Sequence, residues 1–375
     1  MKNPSRRTIL ITGGAGFIGS FLVDKLVSLG HEVLIFDNLE EQVHHKKKPA
    51  YIDKKATFIK ADVRDYKTFQ NAIESVDIVY HLASRVGVAQ SNYEIKEYVD
   101  TNVGGMANLL DVLVNKKNHV AKVIMIASMT SYGEGDYACE ACGIVKPPLR
   151  GEEQLQKGDW EIHCPNCQKY VSPLATKEDS KMNDNSVYAL TKRAQEEILL
   201  LIGKMYNIPV VSLRCFNVYG PRQSLSNPYT GVTAIFLSRI KNNKKPIIYE
   251  DGLQTRDFVS VYDVVDALVR VMGTSRADFQ SLNIGSGKAT SIKDVTLILN
   301  NLLNKSIEPE ITSRFRKNDI RHCFADIHKA KKLLSWEPRV SLEKGFRELI
   351  GWAQEQSSTD LFEQAEKELR EKKLL

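Results

Sequence analysis

The chain has 375 residues, 42% of them hydrophobic and 26% charged, enough to bury a large core and to divide into more than one domain. No apolar run reaches the ~18 residues of a membrane span, and the first residues lack the charged-then-apolar pattern of a secretion signal, so a cytoplasmic protein with no membrane partner is expected. The excess of 52 Lys plus Arg over 46 Asp plus Glu, a net +6, suits an anionic small molecule and is too weak to imply nucleic acid.

Thr8 to Thr12 form a short β-branched run, followed at once by Gly13, Gly14, Gly16 and Gly19 and then by an amphipathic stretch with Phe17, Ile18, Phe21, Leu22 and Leu26. This is a strand, a glycine turn and a helix. Such a turn brings backbone N–H groups and the positive end of the helix up to a pyrophosphate. Gly30 ends the helix, and Val33 to Phe36 lead into Asp37, an acid placed to accept hydrogen bonds from an adenosine ribose. A carboxylate there would repel a 2′-phosphate, so NAD is expected over NADP. The basic run His44 to Lys48 reads as a solvated loop.

Further strand and helix units follow, with strands at Thr57 to Lys60, Ile78 to His81 and Lys122 to Ile126. Their C-terminal ends, at Asp62 and Val63, at Leu82, Ala83 and Ser84, and at Ala127 and Ser128, should face the ligand crevice of a doubly wound sheet.

Four of the six cysteines fall between 139 and 167 as two CxxC pairs, Cys139 with Cys142 and Cys164 with Cys167, separated by 21 residues. That spacing is close to a zinc ribbon, and a structural zinc on four thiolates is expected, with a redox dithiol or free core thiols as alternatives. His163 reads as a packing or surface residue, and Cys215 and Cys323 as small buried apolar groups. Between the pairs, Lys146, Arg150 and Lys157 are balanced by Glu152, Glu153, Asp159 and Glu161, so there is no basic stripe for nucleic acid.

Tyr188 and Lys192, four apart, share one face of a helix. An ammonium beside a phenol can lower its pKa toward neutrality and make it a proton carrier. The spacing alone proves nothing, since Tyr51 and Lys55 show it too.

Taken together, Gly13, Gly16 and Gly19 with Asp37; Asp62 and Val63; Thr101 and Asn102; Ser128 with Tyr132 and Gly133; Tyr188 and Lys192; Arg214, Asn217, Tyr219, Gly220 and Pro221; Arg256 to Val259; and Arg321 after Asp319 resemble the extended short-chain dehydrogenase/reductases, in particular their NAD-dependent nucleotide-sugar epimerases and dehydratases. The resemblance runs from about Thr8 to Trp352. It implies Ser128, Tyr188 and Lys192 as catalytic residues, with Tyr188 exchanging the proton and Lys192 holding the nicotinamide ribose and polarising Tyr188. NAD would be held by Gly13, Gly16, Phe17, Ile18, Asp37, Asn38, Asp62, Val63, Leu82, Ala83, Tyr188 and Lys192. Ser84, Ser128, Asn217, Arg256 and Arg321 would bind the nucleotide sugar, the two arginines as a diphosphate clamp.

Dehydratases of this family carry an Asp-Glu pair just after the serine. Here Met129 and Thr130 stand there, and neither transfers a proton as a carboxyl does, so epimerisation is favoured; Thr130 is a candidate stand-in for Ser128. Most of the family has about 25 residues between the Ser and the Tyr, whereas here they lie 60 positions apart, which makes the cysteine segment an insert. Its order of features, with Trp160 and Glu161 before the second pair, most resembles epimerases acting at C4 of dTDP-L-rhamnose. The expected reaction is then epimerisation to dTDP-6-deoxy-L-talose, with UDP-glucose/UDP-galactose exchange, a 4-keto-sugar reductase, or a zinc-ribbon recognition module on an inactive dinucleotide domain as alternatives.

After Pro221, turn residues through Asn227, Pro228, Tyr229 and Gly231 precede a helix at Ala234 to Ile240 that should cover the nucleotide, with Tyr229 either stacking on a base or packing. A polar helix, Ser357 to Lys373, carries Leu361, Phe362, Ala365 and Leu369 on one stripe. The fold expected is α/β, a doubly wound, mostly parallel Rossmann-type sheet over 7–220 with a zinc-ribbon-like insert at 135–178, a smaller α/β substrate domain at 221–352 from which some segments return to the first, and a helical tail at 353–375, assembled as a homodimer.

Overall fold

The computed structural model describes residues 6–44, 46–229, 231–356 and 360–375. Seven strands form one parallel sheet in the order Gln280–Ile284, Val210–Cys215, Lys122–Ser128, Ile78–His81, Thr8–Thr12, Glu32–Asp37, Thr57–Lys60. The central strands are apolar and buried, with Ile9, Leu10, Val79, Val123 and Ile124 at zero exposure, because helices cover both faces of the sheet.

On one face the helix Phe17–Ser28 packs against Val261–Met272, bringing Leu22, Val23 and Leu26 against Val264 and Leu268. On the other, Tyr66–Ile73, Gly105–Asn115 and Val187–Tyr206 bury Phe69, Met106, Leu109 and Leu199. The chain reverses its direction of winding between Thr8–Thr12 and Ile78–His81, and the C-terminal ends of those strands open the crevice in which such sheets bind ligands.

Residues 221–352 do not form one separate body. Their helix Val261–Met272 and strand Gln280–Ile284 complete the large sheet layer. The remainder, helices Val232–Lys241, Ile292–Leu302 and Leu342–Gln354, shares a second core around Phe236, Leu237, Leu299 and Phe346. Small separate ladders accompany it: Asn217–Tyr219, just after a strand of the main sheet, pairs with Phe258–Ser260, and Thr255–Arg256 pairs with His322–Cys323.

The cysteine segment is a three-stranded antiparallel sheet, Gly143–Val145, Asp136–Cys139 and Ser172–Leu174, closed over Tyr137, Val145 and Ile162. The tail helix spans Phe362–Glu371, shorter than expected; Ser357 lies outside the described residues, as does His45 of the basic run. Lys46 of that run pairs with Glu41 at 2.9 Å. No described helix is long and apolar enough to cross a membrane.

Candidate active site

The glycine turn is as tight as the sequence requires. Gly13 sits at φ 69°, and a Cβ there would lie 2.8 Å from the backbone nitrogen of Ala83, while one on Gly19 would lie 2.2 Å from the carbonyl of Gly13. Asp37, at the end of its strand, accepts from the backbone N–H of Ala15 at 3.0 Å and of Leu39 at 2.9 Å, so its carboxylate is fixed at the rim of the turn. Asn38 donates to Asp62 at 3.0 Å. These groups, with Gly16, Phe17, Ile18, Val63, Leu82 and Ala83, line one cavity of about 660 Å³. A turn with no room for side chains, followed by a helix N-terminus and a fixed acid, fits a dinucleotide.

The same cavity takes in Ser84, Ser128, Tyr188, Lys192, Asn217 and Arg256. Ser128 ends its strand, and its Oγ accepts from the Thr130 hydroxyl at 3.0 Å; both residues line the cavity. The helix that carries Tyr188 and Lys192 is started by Ser186, whose hydroxyl accepts from the Ala189 N–H at 3.1 Å, and stopped by Asn207 in the left-handed region at φ 52°. Two further side chains pin its first turn: Ser91 Oγ accepts from the Tyr188 N–H at 2.9 Å and Asn92 Oδ1 from the Val187 N–H at 3.0 Å. Asn102, fully buried, accepts from Ser84 and the Arg85 N–H and donates to Thr191 at 3.0 Å, tying the crevice loop to that helix.

Burial pushes the Tyr188 phenol up to about 12, and a hydrogen bond from Ser128 works against that rise. Burial brings the Lys192 ammonium down to about 8, with Cys215 and Glu196 opposing. The expected depression of Tyr188 by Lys192 is thus not present in the protein alone: burial dominates both groups, and neither acts measurably on the other. The pair at Tyr51 does something else: the Tyr51 hydroxyl donates to the carbonyl of Ala15 at 3.0 Å and braces the glycine turn.

Arg321 requires a correction. It is fully buried and does not reach the cavity; its guanidinium meets Glu250 at 3.0 Å, Asp251 at 2.7 Å and Glu161 at 3.1 Å. A guanidinium already matched by three carboxylates has no free edge for a diphosphate. His322 and Arg321 pull the Glu161 carboxyl down to about 2 against burial. Since Glu161 belongs to the cysteine segment, and since Arg150 of the same segment meets Glu250 at 2.9 Å, this network fastens the insert to the loops around 250 and 320. Arg256 does line the cavity, held by Asp319 at 2.9 Å and the carbonyl of Ile320 at 2.8 Å.

A cation the sequence reading missed lines the same cavity. Arg316 lines the cavity 4.5 Å over the ring of Tyr249, and its buried Nε has no hydrogen-bond partner among the described residues. Its place three residues before Asp319 was the available signal. Two other motif residues are structural: Arg214 is buried against Glu196 at 3.0 Å and Tyr132, and Asp257 accepts from the N–H groups of Ser286, Gly287 and Ala325.

The four cysteine sulphurs lie within 4.8 Å of one another, Cys139 and Cys167 at 3.6 Å. Four thiolates around a tetrahedral zinc would be separated by about 3.8 Å, so the donor set fits that metal. Against burial, the N–H groups of Asn166 and Cys167 and the neighbouring thiols lower the Cys164 thiol, while hydrogen bonds with the same sulphurs raise Cys142: without a cation, the crowded sulphurs cannot all lose their protons. His163 packs edge-on to Tyr170 at 4.7 Å.

Comparison with known proteins agrees with this architecture. Residues 9–151 and 165–285 match the model of the NAD dependent epimerase/dehydratase family; the gap lies inside the cysteine segment and takes in Cys164. A dTDP-L-rhamnose 4-epimerase of Burkholderia thailandensis is 36% identical over 92% of this chain and 94% of its own. Among solved structures, a Thermotoga maritima UDP-glucose 4-epimerase with UDP-glucose aligns with TM-score 0.76 at 30% identity, covering 92% of this chain and 98% of that one. A Bacillus cereus UDP-glucuronic acid 4-epimerase with UDP-glucuronic acid and NAD aligns with TM-score 0.74 at 26% identity, covering 92% and 99%. With its glycine turn, its Ser, Tyr and Lys in one crevice and these relatives along nearly its whole length, the chain belongs to the NAD dependent epimerase/dehydratase family.

Proposed function

We propose that the protein is an NAD-dependent 4-epimerase of a nucleotide-activated hexose, interconverting dTDP-L-rhamnose and dTDP-6-deoxy-L-talose. The observation that carries this reading is that Ser128, Tyr188 and Lys192 share a cavity with the glycine turn on one side and Arg256 and Arg316 on the other, with no carboxyl at 129 or 130 to drive elimination. NAD, when bound at the turn, supplies the hydride acceptor that makes C4 a transient ketone and gives the hydride back.

In this reading Tyr188 takes the proton from the C4 hydroxyl and returns it to the C4 oxygen. Ser128, within reach of the phenol, holds that oxygen in place. Lys192 holds the nicotinamide ribose and, with the positive ring nearby, draws the phenol down from its resting value. Arg256 and Arg316, which both line the cavity, hold the diphosphate while the sugar turns; Asn217 and Ser84 contact the sugar. No net redox results.

The cysteine cluster is assigned to a structural zinc, closed by Cys139, Cys142, Cys164 and Cys167 and inert in catalysis. A homodimer is also proposed: Leu190, Leu201 and Met205 on the helix Val187–Tyr206 and Ile95 on a segment packed beside it are all more than half exposed, an apolar strip that a second copy would cover.

A UDP-glucose/UDP-galactose 4-epimerase is the second reading, favoured by the likeness to the Thermotoga maritima enzyme. Incubation with a panel of nucleotide sugars, with products resolved by NMR, separates the two. Conversion of dTDP-L-rhamnose to its C4 epimer supports the first, exclusive conversion of UDP-hexoses the second, and stoichiometric accumulation of NADH with a 4-keto product contradicts both.

A further inference from the structure

The C-terminal helix Phe362–Glu371 returns to the cavity from outside the family's matched region. Polar latches hold it there. Glu366 accepts from Arg314 at 2.6 Å and from the Tyr249 hydroxyl at 3.4 Å, Glu368 accepts from the Tyr229 hydroxyl at 2.7 Å, and Glu363 meets Arg239 at 2.9 Å. Between these latches the face formed by Phe362, Ala365 and Leu369 is buried and lines the cavity, together with Ile248 and Tyr249.

Because Arg316 lies over the ring of Tyr249, and Tyr249 touches Glu366, this wall stands beside the cation assigned to the diphosphate. The group attached to that diphosphate on the side away from the sugar is a nucleoside. A pyrimidine base has two apolar faces and a polar edge carrying a ring N–H, and the recess offers aliphatic and aromatic surface with the Glu366 carboxylate at its border. We infer that the C-terminal helix is the wall of the base-binding subsite, its Phe362–Ala365–Leu369 face seating the pyrimidine and its Glu366 fixing Arg314 and Tyr249 around it.

The inference rests on the nucleotide-sugar reading above and goes beyond it by assigning the tail a ligand. It also explains why a helix so polar elsewhere keeps one apolar stripe.

The test uses the full chain and four soluble probes: dTDP, UDP, inorganic pyrophosphate and NAD, each titrated by calorimetry. Ala365→Phe, which pushes a ring into the recess, should weaken dTDP by about tenfold or more while pyrophosphate and NAD stay within about twofold. In the wild type, dTDP but not pyrophosphate should slow amide exchange along Phe362–Glu371. Should Ala365→Phe lose NAD as well, Leu369→Ala, which removes contact without adding bulk, decides the matter by the same comparison. Unchanged dTDP affinity in both variants, or equal losses for dTDP and pyrophosphate, would overturn the inference while leaving the epimerase reading standing. A wild-type protein that binds neither dTDP nor UDP would remove both.

Discussion

Tyr188 shows how far one side chain depends on its setting. Its phenol, pushed up to about 12 by burial, is a poor base in the protein alone, so the proposed mechanism requires the charge of bound NAD beside Lys192 and couples proton transfer to cofactor binding. Tyr188→Phe should leave NAD binding intact and lower turnover by about 10²–10⁴-fold, the range for losing a positioned proton carrier; a turnover assay beside an NAD titration checks this. Tyr51→Phe should keep full turnover and cost about 1 kcal/mol of stability through one lost hydrogen bond.

Lys192 gives a pH signature. Its folded pKa of about 8 lies below the unfolded value near 10.4, so the unfolded chain holds more protons between those values and stability from this group rises with pH across that window. Below pH 8 both states are protonated and the group's penalty is constant, about 3 kcal/mol. Denaturant titrations of the NAD-free protein from pH 8 to 10 should show that rise in the wild type and not in Lys192→Met. Arg321 and Arg256 should separate cleanly as well. Arg321→Met leaves Glu161 and Asp251 without their cation, while Glu250 keeps Arg150, and should cost about 3 kcal/mol of stability, whereas Arg256→Met should chiefly raise KM for the nucleotide sugar. A larger KM effect than stability loss at Arg321 would return it to the substrate.

At the scale of elements, the sequence was most legible where local signals and burial agree. The strands at Thr8–Thr12, Thr57–Lys60 and Ile78–His81 have the bounds read from their β-branched runs, and the glycine turn announces itself by spacing. Val210–Cys215 and Gln280–Ile284 were not read as strands, although they complete the sheet. Arg214 and Asn283 sit within them, and their polarity hides strands whose buried partners, Glu196 and Tyr132, come from distant segments. The Arg321 assignment failed for the same reason. A motif gives an arginine's position along the chain but not the carboxylates that an insert brings to it, and Glu161 arrives from 160 residues away.

The insert itself was legible as two CxxC pairs, and its attachment through Glu161 and Arg150 was not. That attachment gives the cysteine cluster a mechanical link to the loop carrying Arg316 and Asp319. Cys164→Ser should abolish stoichiometric zinc, read by metal analysis, and raise KM for the nucleotide sugar more than it lowers NAD affinity, since the glycine turn has no share in the insert. Less than about half a zinc per chain in reduced wild-type protein would contradict the metal assignment.

For the whole molecule, the parallel sheet supplies the crevice, the tail helix lines it, and the cysteine insert, which lends no residue to the cavity, is fastened to the loops around 250 and 320 that do. The dinucleotide side is built from consecutive units and was readable from one end of the chain. The substrate side is assembled from the loops near 84, 217, 256 and 316 together with the tail, and only the fold brings those together. The central claim is that C4 is oxidised and reduced within one bound complex. Its most direct test is dTDP-L-rhamnose carrying deuterium at C4, followed by NMR in ordinary water. The account predicts a C4 epimer that retains the deuterium at C4 with no build-up of NADH; an epimer whose C4 hydrogen comes from solvent, or release of a keto sugar with the label on the cofactor, would contradict it.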